Sequence, residues 1–123
     1  MNTERFERTI TIGGAEYPAC YTMASFMDNL RYDAEHPGED SVYKSQDKIF
    51  YMAASYINGG LRLKNRKDGG KRPMITVEQI LLEMDPAEYA ALVETVGELT
   101  KLGNERQFRT QDEVDFTKKE TTE

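Results

Sequence analysis

Polar and apolar side chains alternate from Thr9 to Ile12, and Gly13-Gly14 follows where a tight hairpin requires positive φ. A return strand over 16–21 completes a β-hairpin, and Pro18 within it forfeits a ladder donor, which marks an edge strand. Thr22 then stands as an N-cap, with Tyr21 and Phe26 spaced as a hydrophobic staple. Met23, Phe26, Met27 and Leu30 recur at i, i+3, i+4 and i+7, which predicts an amphipathic helix with a core-facing stripe. His36-Pro37-Gly38 ends it, since the residue before proline avoids αR.

A second helix is expected from about Ser45. Ile49, Met52, Ala53, Tyr56 and Ile57 share one face, which Phe50 and Ala54 widen. So broad a surface predicts the central helix, contacted from more than one side. Asn58-Gly59-Gly60 reads as its stop. Residues 61–73 then read either as a small ribbon turned at Asp68-Gly69 or as a mobile loop. Two further helix starts are legible. Thr76-Val77-Glu78-Gln79 is a capping box flanked by Ile75 and Ile80, opening a short helix over 77–83. Asp85-Pro86-Ala87-Glu88 is a second box, with proline at N1 and Met84 and Tyr89 as staple. Tyr89, Leu92, Val93, Val96 and Leu99 line the helix that follows, and Gly103 is its expected end.

The fold class these elements predict is α+β and mainly helical, an N-terminal β-hairpin packed on about four α-helices. Residues 1–103 are expected to form a single globular domain. Residues 104–123 hold only Phe108, Val114 and Phe116 as large apolar side chains among charge and threonine, too few to offset ordering entropy. They read as a disordered polar C-terminal tail.

Composition narrows the function. Apolar content is 38%, charged content 31% and the formal charge −6, so a soluble protein is expected. No apolar run approaches the roughly 20 residues of a membrane span, and no signal-peptide pattern opens the chain. A single cysteine, Cys20, excludes an intrachain disulfide and suits a reducing compartment. Six cations in residues 62–72 against Asp68 give that segment +5, leaving −11 on the remainder. An acidic chain repels nucleic acid at long range, which a short basic segment only partly reverses.

No catalytic set emerges. His36 is the only histidine, and the carboxylates around it lack zinc or EF-hand spacing. Cys20 lies in a predicted strand, where a small buried thiol is ordinary, with no second histidine to activate it. Neither glycine pair has the context of a phosphate loop. No cofactor, metal site or catalytic residue is expected. Six methionines are many for 123 residues, and methionine-rich surfaces adapt to varied partners.

The stretch Ile10-Thr-Ile-Gly-Gly-Ala-Glu-Tyr-Pro-Ala-Cys-Tyr-Thr22 resembles the opening hairpin and helix start of the tail assembly chaperones of long-tailed bacteriophages and prophages. Met52-Ala-Ala-Ser-Tyr-Ile-Asn-Gly-Gly-Leu61 is similar to that family's second helix, and Thr76-Val-Glu-Gln-Ile80 with the Asp85-Pro86 helix to its later elements. The resemblance extends over about residues 8–102 and rests on the order of the elements. It implies a non-enzymatic helper that binds the tape measure protein, keeps it soluble and helps recruit tail tube subunits. It also implies residence in the cytoplasm of the bacterial host and absence from the mature virion, with no membrane partner and homo-oligomers open. The partner surface is then expected on the downstream helices and tail, at Met84, Tyr89, Leu92, Val96, Leu99, Phe108 and Phe116. The alternative is a small regulatory or nucleic-acid-binding adaptor acting through residues 62–72.

Overall fold

The computed structural model describes residues 7–38 and 42–122; side chains are described to residue 105 and, after the break, from residue 45. Strands β1 (Glu7–Ile12) and β2 (Ala15–Cys20) form one antiparallel hairpin. Helix α1 (Met23–Glu35) follows, then the long α2 (Val42–Asp68), the short α3 (Val77–Glu83), a 3-10 turn at Pro86–Glu88 and α4 (Tyr89–Thr122). The fold is α+β and mainly helical, as expected.

Positive φ at Gly13 (59°) and Gly14 (81°) gives the two-residue turn the twist that hairpin strands need. Ile12 pairs with Ala15 and Thr9 with Pro18. Hydrogen-bonded and non-hydrogen-bonded pairs alternate along an antiparallel ladder. A two-residue turn makes Ile12–Ala15 a hydrogen-bonded pair, so Thr9–Pro18 is not one. The proline nitrogen points to the outer edge and no ladder bond is lost. Ile10, Ile12 and Ala19 lie on one face of the hairpin and are buried.

That face meets the core built on α2. Met52, Ala53, Ala54, Tyr56, Ile57 and Leu61 are all buried, and α2 touches β2, α1, α3 and α4. Ile75, Ile80, Leu92, Val96 and Leu99 close the core from the other side. The Tyr56 hydroxyl lies 2.7 Å from Thr100 Oγ1, and Thr100 donates onward to the Val96 carbonyl, which leaves Tyr56 as donor. Burial pushes the Tyr56 phenol up to about 12.

Three glycines read as helix stops are not stops. α2 passes through Gly59 and Gly60 and continues to Asp68, and α4 passes through Gly103 to Thr122. Their role is close approach. A Cβ on Gly60 would stand 2.6 Å from the Pro18 carbonyl oxygen, and one on Gly59 3.2 Å from that of Cys20. Both carbonyls lie on the outer edge of β2, so α2 covers that edge at glycine distance. A Cβ on Gly103 would run into the Tyr21 ring. The side chains of residues 106–122, where a disordered tail is expected, lie outside the described residues, and the backbone there is helical to Thr122.

Residues 62–68 form neither ribbon nor loop: they are the last turns of α2, which Gly69 ends at φ +71°, and residues 69–76 follow without regular structure. The chain then doubles back, held by two asparagines seven residues apart on one face of α2. The Asn58 amide donates to the Ile75 carbonyl (2.9 Å) and accepts its N–H (2.8 Å); Asn65 does the same with Arg72, at 3.1 and 3.0 Å. Each side chain acts as a strand partner for one residue.

The caps at Thr22, Thr76 and Asp85 form where expected, although α2 begins at Val42 rather than near Ser45 and Asp85 opens a 3-10 turn ahead of α4. Thr22 Oγ1 accepts from the Ser25 N–H, and Ser25 completes a reciprocal capping box. Thr76 caps α3 through the Gln79 N–H. Asp85 and Glu88 form the other reciprocal box. Glu88 reaches further than a cap requires, accepting the Gly13 N–H (2.7 Å) and the Gly14 N–H (3.0 Å) as well as that of Asp85 (2.9 Å). One carboxylate thus ties the hairpin turn to the start of α4, and these three backbone donors hold its pKa below the ordinary glutamate value.

Candidate partner-contact surface

Helix α1 sets the character of the surface because it docks in reverse. Its inward face is Ser25 and Tyr32, both buried, with half-buried Asp28 between them. Asp28 accepts from the Ser55 hydroxyl at 2.8 Å, the Tyr32 hydroxyl donates to Asp47 at 2.8 Å, and Lys48 pairs with Asp33 at 2.8 Å. Tyr32 packs between His36, stacked at 4.1 Å, and Tyr51, tilted at 5.0 Å. This polar and aromatic seam holds α1 on α2.

The apolar stripe expected in the core consequently faces solvent. Met23, Met27 and Leu30 are 70%, 47% and 49% exposed, and Phe26 alone of the four is half-buried. Exposed Ala24 and Ala34 extend the strip. A second exposed pair lies on α3, Leu81 (56%) and Leu82 (77%), beyond the buried Ile80. Contiguous exposed apolar side chains of this kind mark contact surfaces.

The residues expected to form the partner surface are placed differently. Leu92, Val96 and Leu99 are buried in the core, where the stripe of α4 packs against α2 and the hairpin, so they offer a partner no surface. Met84 and Tyr89 are half-buried against the core, and the Tyr89 ring lies 5.8 Å from that of Phe50. The side chains of Phe108 and Phe116 lie outside the described residues. Sequence reasoning missed the exposed role of Met23, Met27 and Leu30, although the high methionine count pointed to a plastic surface. The signal for it is the opposite face of α1, where Ser25, Asp28 and Tyr32 share a helical spacing.

The basic segment is only partly free. Arg72 forks onto Asp68 at 2.7 and 3.1 Å and also donates to Asn65, and this pairing holds the Asp68 carboxyl down to about 2. Arg62, Lys64, Arg66, Lys67 and Lys71 are exposed. Lys64 and Lys67 border a shallow hollow with Glu7, Cys20, Gly60 and Leu63. Cys20 is buried there, and burial, with the Glu7 carboxylate second, raises its thiol pKa and so disfavours the nucleophilic thiolate.

Among the described residues no group of three or more His, Cys, Asp or Glu is placed to hold a metal ion. No described helix is long and apolar enough to cross a membrane. No family model, curated protein or solved structure matches the chain significantly.

Proposed function

We propose that this chain is a non-enzymatic tail assembly chaperone of a long-tailed phage or prophage. It binds the tape measure protein, keeps it soluble and helps recruit tail tube subunits. The observation that carries the reading is the outward placement of Leu81 and Leu82 on α3, on a scaffold fixed by an independent core. A protein that shields apolar segments of a long helical client needs adaptable apolar side chains in solvent without unfolding to expose them. The order of hairpin, capped helices and central small-residue helix, which resembles that family, supports the same reading. The chain then acts in the cytoplasm of the bacterial host and leaves before the virion is complete.

Co-expression with the tape measure protein encoded beside it tests this. The soluble yield of that partner is expected to rise severalfold with the native chain and to fall back when Leu81 and Leu82 are both replaced by serine. An unchanged yield with the native chain would overturn the reading.

A further inference from the structure

The exposed strip of α1 is self-complementary in a way that fixes its occupant. Met23, Met27, Leu30 and Ala34 occupy one line along the helix, spanning twelve residues and a rise of about 16 Å. Set a second α1 antiparallel, with the two-fold axis between residues 28 and 29. Met23 then falls opposite Ala34 of the other copy and Met27 opposite its Leu30, each twice. A methionine meets an alanine at both ends, and methionine meets leucine, a side chain of similar size, at the centre, which lets two helices approach to about 8–10 Å. A shift by one turn puts Met27 against Met27 and strands Ala34.

Charge selects the same arrangement. α1 has no acidic residue in its first turn and no basic residue in its last, while Asp33 and Glu35 sit exposed at its C-terminal end. Alone, this is the unfavourable polarity for a helix, whose N-terminus attracts anions and whose C-terminus attracts cations. In the antiparallel pair, Glu35 lies level with Thr22 of the other helix, and Asp33, already paired with Lys48 of its own copy at 2.8 Å, lies level with Ala24. The acidic end of each copy then lies at the positive end of its partner.

The geometry points to an isologous dimer of this chain, formed by antiparallel pairing of the two α1 helices along Met23, Met27, Leu30 and Ala34. The contact is a single helix pair, at the small end of specific interfaces, so it forms a concentration-dependent equilibrium rather than a permanent dimer. Leu81 and Leu82 lie on α3, outside the paired strip.

Sedimentation equilibrium of the full chain over a wide concentration range tests the pairing. The native chain is expected to shift from monomer to dimer. Met27→Lys alone and Leu30→Glu alone should each weaken dimerisation by about tenfold or more, since a charge is pressed against an apolar side chain. Both positions are about half exposed, so far-ultraviolet circular dichroism and the melting midpoint should stay at native values at concentrations where the native chain is monomeric. An equimolar mixture of the two variants should regain the dimer, because the lysine introduced in one copy then meets the glutamate introduced in the other. A parallel pair would leave both charges against apolar side chains and gain nothing from mixing. A native chain that stays monomeric throughout, single variants that dimerise normally, or a mixture that does not recover would each overturn the proposal. So would a monomer that takes up an amphipathic helical peptide along α1.

Discussion

Helices α1 and α2 carry equally clear apolar stripes, yet one shows its stripe to solvent and the other buries it. In α2, Met52, Tyr56 and Ile57 are enclosed by the hairpin, α3 and α4. In α1, Met23, Met27 and Leu30 project outward while Ser25, Asp28 and Tyr32 do the docking. Periodicity establishes that a helix has two faces, and only the partner decides which one is inside. For α1 the partner surface on α2 offers Asp47, Lys48, Tyr51 and Ser55, which suit a hydrogen-bonding face.

The largest expected effect breaks the comparison directly. Ile57→Ala removes a fully buried side chain and should destabilise the chain by about 2–5 kcal/mol. Met27→Ala, a truncation of similar size on the equivalent stripe of α1, should stay within about 0.5 kcal/mol. Urea unfolding of both variants reads the difference. Equal losses would mean that the α1 stripe is buried in solution.

A smaller contrast separates two kinds of helical glycine. Alanine favours a helix interior over glycine by about 1 kcal/mol, so Gly97→Ala in α4, where an added Cβ meets nothing within 4 Å, should stabilise by roughly that amount. Gly60→Ala has the same propensity gain but drives a methyl into the Pro18 backbone at 2.6 Å. Overpacking of about 1–3 kcal/mol should reverse the sign. Melting midpoints moving in opposite directions would confirm that Gly60 is there for contact with β2.

These glycines show where the sequence stops being readable. The turn at Gly13-Gly14 and the starts at Thr22, Thr76 and Asp85-Pro86 are legible because their physics is local: a positive φ, or a side chain bonding to an N–H two or three residues on. Gly59, Gly60 and Gly103 are compatible with a local stop, and what decides otherwise is a carbonyl or ring about forty to eighty positions away. The same limit governs the candidate surface. The α1 stripe is plain in the sequence, but its outward orientation depends on Asp47 and Ser55. Leu92, Val96 and Leu99 lie on just as plain a stripe, which the fold consumed as core.

The smallest effect tests polar attachment where the hairpin turn meets α4. Glu88 accepts three backbone N–H bonds, from Gly13, Gly14 and Asp85, and its pKa is lowered by them, that of Asp85 first. A carboxylate whose folded pKa is depressed stabilises fully above its unfolded pKa, about 4.3, and loses that contribution as pH falls through the lower folded value. Glu88→Gln keeps the shape but has one carbonyl oxygen to offer three donors, and no charge. The variant should melt below the native chain at pH 7, by an amount constant down to about pH 5. Below about pH 4.3 the gap should close as the native carboxylate takes up its proton and loses the same interaction. A gap that persisted undiminished at about pH 2.5, well below the ordinary carboxylate range, would assign the effect to shape rather than charge. The hairpin turn would then be held as α2 is, by fit, and not by charge-assisted hydrogen bonds.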